Sequence, residues 1–342
     1  LTPSKIMTIK AFENAIYVAS AIGASSNCPP HLTAIARHMG IDFGIDNWEK
    51  LGHDIPLLVN CQPAGEHLME GFFKAGGIPA IMQELMKNNK LHKDLMTVTG
   101  KTIAENLIEK IDIDENIIKS FKNPLVNNAG FIVMKSNFFN SAVMKTSVIS
   151  SEFRKRYLSN PTSLNLFEAN AVVFEGPEDY HLRINDESLN IDENSILMIR
   201  GCGPVGYPGS AEVVNMQPPD KLLKQGINTL PTLGDGRQSG TSESPSILNV
   251  SPESAIGGSL LIVETGDKIK IDLNNSRIDL MISSEEIEKR RKKVKIPKLE
   301  NQTPWQEISR KMVGQLETGA CLETETLYLD ITNTKGMPRH SH

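Results

Sequence analysis

From about Asn123 the chain breaks into short β-branched runs punctuated by glycine and proline, which commits that part of it to strands. Gly130-Phe-Ile-Val-Met134, Ala142-Val-Met-Lys-Thr-Ser-Val148, Asn170-Ala-Val-Val-Phe174 and Ser195-Ile-Leu-Met-Ile199 each have strand length and composition. Lys268-Ile-Lys-Ile-Asp-Leu273 and Arg277-Ile-Asp-Leu-Met-Ile282 alternate strictly across Asn274-Asn-Ser276, so they predict a hairpin. The preceding part is helical in pattern. Thr8 caps a helix whose Phe12, Ile16, Ala19 and Gly23 recur every three or four residues, and Cys28-Pro-Pro30 separates it from a second helix ending near Gly40. Pro56-Leu-Leu-Val-Asn60 reads as a short buried strand, Pro79 as a first-turn proline, and residues 103–110 as a further helix. A last helix is expected with Thr303 as cap, Pro304 in its first turn and Gly319 just past its end. At 342 residues the chain suggests two domains, an α/β region over 1–123 and a β-rich region over 124–342.

The charge balance, 36 basic against 41 acidic residues, carries no global basic field and argues against nucleic acid as a partner. The one basic run, Lys289-Arg-Arg-Lys-Lys293, follows Ser283-Ser-Glu-Glu-Ile287 and reads as the cationic end of a capped helix. No apolar run approaches the roughly 20 residues that span a bilayer, so no membrane partner is expected. Cys28, Cys61, Cys202 and Cys321 are scattered without CxxC spacing, which supports neither a zinc site nor a disulfide framework. A reducing, cytoplasmic setting is the default, with an organelle left open. The start at Leu1, almost directly in an amphipathic helix, reads as a chain entered partway through.

The polar loop Leu233-Gly-Asp-Gly-Arg-Gln-Ser-Gly-Thr-Ser-Glu-Ser-Pro245 sets small hydroxyls beside bare backbone. It is either a capped turn or an active-site loop in which Ser239, Thr241, Ser242 and Ser244 supply donors, acceptors and a possible nucleophile or base. Gly201-Cys-Gly-Pro-Val-Gly206 fits GxGxxG, but Pro204 and Pro208 would break the helix that should receive a pyrophosphate. Thr99-Gly-Lys-Thr102 resembles the end of a P-loop, yet Leu95 stands where the first glycine is required. Glu212, among small and apolar residues, is a capped turn residue or a hard-metal ligand, and spacing alone favours the former. Gly176-Pro-Glu-Asp-Tyr-His181 is a polar turn whose Glu178, Asp179 and His181 can bind hydroxyls or do nothing of the kind. The histidines show no HExxH or HxH spacing.

Taken together and in order, Ala75-Gly-Gly-Ile-Pro79, Thr97-Val-Thr-Gly-Lys-Thr102, the segment 203–216, the 233–245 loop and Ile247-Leu-Asn-Val-Ser-Pro-Glu-Ser-Ala-Ile-Gly-Gly258 resemble the dihydroxy-acid and phosphogluconate dehydratase family. Asn27-Cys-Pro-Pro-His31, Gly176-Pro-Glu-Asp-Tyr-His181, Asn215-Met-Gln-Pro-Pro-Asp220 and Thr303-Pro-Trp-Gln-Glu307 are similar to its sugar-acid branch, the L-arabonate and D-xylonate dehydratases. The resemblance implies an α/β remnant followed by a β-barrel-like domain of the swivelling type with a C-terminal helical arm. It also implies a hydro-lyase that converts a 2,3-dihydroxy acid to a 2-keto-3-deoxy acid with a [2Fe-2S] cluster and Mg²⁺, acting as a homo-oligomer on a pentonate. By alignment to the family's motifs it makes Ser239 the base toward C2, Thr241 a substrate contact and Glu212 a Mg²⁺ ligand.

None of the four cysteines matches a cluster ligand of the family, whose cluster cysteines and remaining Mg²⁺ ligands, a modified lysine among them, lie upstream of the segment matching Leu1. The expectation is therefore the C-terminal part of a dehydratase, inactive alone. Gly23-Ala-Ser-Ser-Asn27 replaces the commoner Gly-Gly-Ser-Thr-Asn, Glu243 stands where a small residue is usual, and the Arg339-His-Ser-His342 ending also departs from the family. The alternatives are a non-catalytic truncated chain and a dihydroxy-acid dehydratase of branched-chain synthesis.

Overall fold

The computed structural model describes residues 1–240 and 245–326. Among them, one sheet contains eight strands: β1 Phe131–Met134, β2 Ser141–Lys145, β3 Leu166–Glu175, β4 Ser195–Arg200, β5 Thr232–Gly234, β6 Ser246–Ser251, β7 Lys268–Asp272 and β8 Arg277–Leu280. Their spatial order is β1-β2-β6-β5-β4-β3-β7-β8. The central four, β6 to β3, run parallel, and antiparallel pairs flank them on both sides. The two edge strands approach one another where the Lys135 N–H donates to Ser276 O at 2.9 Å and the Ile278 N–H to Lys135 O at 3.0 Å. That contact curls the sheet into a nearly closed barrel and leaves little unpaired edge.

Strand alternation sorts the side chains between two faces. Ile132, Met144, Ala171, Val173, Ile196, Met198, Leu233, Ile247, Ile269 and Ile278 fill the barrel interior. The intervening Val172, Phe174, Leu197, Ile199 and Leu248 point outward and are covered by Tyr180, Val214, Leu222 and Leu230. Each such side chain, fully buried, stabilises the fold by about 1.5–3 kcal/mol before entropy is subtracted. On another part of the outer surface Phe131, Val133 and Val143 pack on Phe12, Ile16, Ala36 and Trp48 from the helices Ile9–Ala21, Cys28–His38 and Ile45–Leu51. That seam joins the helical first part of the chain to β1 and β2.

Several local expectations change. The 103–110 helix stops at Asn106, and beyond it the Gln83 amide donates to the carbonyls of Leu107 and Glu109 at 2.8 and 2.6 Å. The 56–60 segment contributes only two bridges, Leu57 to Val126 and Val59 to Ile118, rather than a strand of the sheet. The helix capped by Thr303 ends at Met312, and Gly319, at φ +90°, closes a separate 3₁₀ turn, Leu316–Thr318. Residues 177–183 are a helix, Pro177–Arg183, not a turn, since Pro177 fits its first position and Asp179 pairs with Arg183 one turn on. No helix follows Gly206, as Pro204 and Pro208 require.

Candidate functional site

In parallel sheets the loops at the carboxyl ends of the strands carry ligand chemistry, and here the loops after β4, β5 and β6 meet at that edge. Asp235, fully buried just after β5, ties them together. It accepts the N–H groups of Gly201 and Cys202 at 3.1 and 2.9 Å and the Ser254 N–H and Oγ at 2.8 and 2.5 Å. Glu253 does the same one layer away, accepting Val205, Gly206 and the Gln315 amide at 3.0, 2.9 and 2.8 Å. Burial pushes its carboxyl above the usual range against those bonds. The GxGxxG segment is thus a backbone cradle for two protein carboxylates. Gly203 is required there, because a Cβ would lie 2.4 Å from Glu253 Oε2.

On this scaffold the 235–240 segment folds back across the sheet. The Gln238 amide donates to Ser246 Oγ on β6 at 2.8 Å, and the Arg237 carbonyl accepts the Val214 N–H at 3.0 Å. Ser239 is half-buried, and its N–H donates to Asn215 Oδ1 at 3.3 Å. Asn215 in turn donates to the Glu212 carbonyl at 2.7 Å, so the turn carrying Glu212 is fastened to the Ser239 loop. Gly240 presses on the 23–27 turn so closely that a Cβ would sit 2.6 Å from Ser25 Oγ. Thr241, like Glu243, lies outside the described residues.

Sequence reasoning named Ser239 and Glu212 but not the residue that joins them. Asn27 occupies the N-cap position of the Cys28–His38 helix, yet its side chain forms no cap. The two following positions whose N–H groups an N-cap oxygen normally accepts are Pro29 and Pro30, which have none. The amide is free to leave the helix: Asn27 Nδ2 donates to Glu212 Oε1 and to the Gln238 carbonyl, the latter at 3.2 Å. Its Oδ1 is buried without a partner. The Asn-Cys-Pro-Pro tetrapeptide was the available signal. Nearby, Arg237 is spent on the Ser210 carbonyl at 2.7 Å and on His31 Nε2 at 3.3 Å.

Other candidates fall away from this junction. Asp179 is held well below its usual carboxyl range by the Arg183 guanidinium, and Tyr180 exchanges hydrogen bonds with the Gln217 backbone. Both serve the helix and its packing. A cleft of about 470 Å³ lined by Glu178, Arg200, Tyr207 and Arg310 lies against the Gly201–Gly206 cradle without touching Ser239, Glu212 or Asn27. Among the described residues the four cysteines form no disulfide, and no three His, Cys, Asp or Glu side chains gather as a metal site. Burial raises the thiols of Cys28, Cys61 and Cys202. No described helix is long and apolar enough to cross a membrane.

Residues 116–320 match the C-terminal domain of the dihydroxy-acid/6-phosphogluconate dehydratases, and residues 1–106 match the N-terminal domain of the same proteins. The chain belongs to this dehydratase family. It is 54% identical to D-xylonate dehydratase of Caulobacter vibrioides over 99% of its own length and 57% of the relative's. It is 43% identical to L-arabinonate dehydratase of Rhizobium leguminosarum over 85% of this chain and 48% of that one. Against dihydroxy-acid dehydratase of Ignicoccus hospitalis the figures are 36%, 85% and 50%. The chain thus spans about half the length of the curated relatives it matches. Within the dehydratase family, the greater likeness is to proteins named for sugar acids.

Proposed function

We propose that the protein to which this chain belongs dehydrates a pentonate such as D-xylonate or L-arabonate to the 2-keto-3-deoxy acid. The observation that carries this reading is the junction at which Asn27 ties Glu212 to the Ser239 loop, in a chain more like sugar-acid than branched-chain dehydratases. Ser239 Oγ, as the alkoxide, takes the C2 proton. The released electron pair forms the C2–C3 double bond as hydroxide leaves C3, and the enol then ketonises. The sum is loss of one water with no change in oxidation state. Because a serine hydroxyl is a weak base, its surroundings must favour the anion.

The donor set here suits a hard cation in part. Glu212 offers an exposed carboxylate, and the buried, unpartnered Asn27 Oδ1 lies on the same amide that touches it. These two residues would hold Mg²⁺ from this side, and when bound the ion supplies positive charge against the substrate carboxylate and C2 hydroxyl. The cysteines do not fit a [2Fe-2S] cluster, since they form no group, and under this reading its ligands belong to sequence outside this chain. Under the same reading Thr241 contacts the substrate, as the family resemblance implies, and the protein acts as a homo-oligomer.

The test is to supply the full-length protein with cluster and Mg²⁺ and offer D-xylonate, L-arabonate and dihydroxyisovalerate. A 2-keto-3-deoxy acid from a pentonate is expected. Product from dihydroxyisovalerate alone would move the chain to the branched-chain enzymes, and none from any substrate would leave the non-catalytic reading. Ser239→Ala should lower kcat by about 10²–10⁴-fold with KM near wild type, and unchanged turnover removes Ser239 as the base.

A further inference from the structure

Lys145 ends β2 only 6% exposed, and among the described residues no hydrogen bond or ion pair reaches its ammonium. A buried cation without a carboxylate is costly, so its direction matters. Strand alternation sets that direction: Ala142 and Met144 enter the barrel, whereas Val143 faces outward onto the cluster that includes Ala24 and Cys28. Lys145 shares the Val143 side. Carrying the β2–β6 register one step past Met144↔Ile247 sets Lys145 level with Ser246, whose Oγ holds the amide of Gln238, the residue before Ser239. The carbonyl of that same Gln238 is held by Asn27, and the neighbouring Cys28 thiol is the titratable group that acts on Lys145. The lysine therefore shares a strand face with Ser246, the residue that anchors the Ser239 loop through Gln238.

We propose that Lys145 is a positioning residue for the proposed dehydration: its ammonium, without a partner among the described residues, supplies the positive field that favours the Ser239 alkoxide. This rests on the reading of Ser239 as the base. The other charged or titratable groups around the loop, among the described residues, are Glu212 from the 208–216 segment, Cys28 and His31 from the Cys28–His38 helix, and Asp235 and Arg237 on the loop itself. Glu212 and Asp235 oppose the anion, Asp235 while bound to the Gly201, Cys202 and Ser254 donors, and Arg237 is already engaged by Ser210 and His31. Burial lowers the Lys145 pKa to about 8, so the ammonium is still mostly charged at neutral pH.

The experiment compares full-length wild type with Lys145→Met, Lys145→Gln and Lys145→Arg. A serine-directed sulfonyl fluoride, read by peptide mass spectrometry, reports the pH dependence of Ser239 labelling without relying on turnover. In the Met and Gln variants the labelling midpoint and the acid limb of kcat should both move upward by about one pH unit or more, with KM within about twofold, while Arg restores the wild-type limb. The Met variant should melt no lower than wild type; if it does, the Gln variant carries the same expectation. Equal labelling profiles across the variants, or no labelling in wild type, would overturn the proposal. A labelling shift in a protein that dehydrates no pentonate would instead sink the proposed function and leave the field of Lys145 standing.

Discussion

Asp235 shows how one buried side chain can organise a site without performing its chemistry. Its carboxylate is the acceptor for the N–H groups that begin the loop after β4 and for both donors of Ser254 after β6. Asp235→Ala leaves those donors buried and unpaired, and about 3 kcal/mol of stability should be lost in denaturant titration, together with the placement of the 233–240 segment. Glu212 faces a different test, because it is exposed and contributes little to packing. Glu212→Gln in the full-length protein should weaken Mg²⁺ binding by roughly tenfold or more in calorimetry while leaving the melting temperature unchanged. A lower melting temperature with unaltered Mg²⁺ affinity would return Glu212 to the role of a turn residue. Ser239 and Glu212 could be named from residues because they sit in distinctive polar stretches that resemble the family. Asn27 and Lys145 could not, since what distinguishes them is a buried polar atom or side chain without a partner among the described residues, Oδ1 in the case of Asn27, and burial and pairing arise only on folding.

At the scale of elements, local rules worked where the signal was local. The alternation of 268–282 produced the β7–β8 hairpin, and Thr8, Ser283 and Thr303 cap the helices they precede. Thr303→Ala should destabilise its helix by about 1 kcal/mol, seen as faster amide exchange in Pro304–Met312 with the barrel amides unaffected. Where the predicted 103–110 helix ends early, the chain beyond Asn106 is held instead by a distant side chain, the Gln83 amide. The cradle after β4 is more sensitive. Gly203→Ala forces a Cβ to within 2.4 Å of Glu253 Oε2, so the carboxylate must release Val205 and Gly206 or the turn must shift. A lowered melting temperature and loss of protection at the Val205 and Gly206 amides are expected, and unchanged protection would show that the turn yields instead.

For the molecule as a whole, two buried charges set opposite trends with pH. Glu253 has a raised carboxyl pKa, so its contribution to stability is present below the ordinary value and is lost as pH rises through the raised one. Lys145 has a lowered pKa. Below about 8 both folded and unfolded chains hold its proton at a constant cost, and between about 8 and 10.5 the unfolded chain binds more protons, so stability from this group rises with pH. Lys145→Met should flatten that alkaline rise in a series of thermal melts; a slope equal to wild type would mean that the ammonium is better solvated than its burial indicates. What the residues determined by themselves was whatever depends on neighbours in the chain: strand-length runs, caps, broken phosphate motifs, and a set of collinear motifs strong enough to mark the family. The tertiary structure alone decided the parallel order of β3 to β6, the near closure of β1 onto β8, and the meeting of Asn27 with Glu212 across 185 positions. Periodicity carries information over a few turns of chain, whereas such meetings are set by how the helices of the first part pack on the outer face of the barrel.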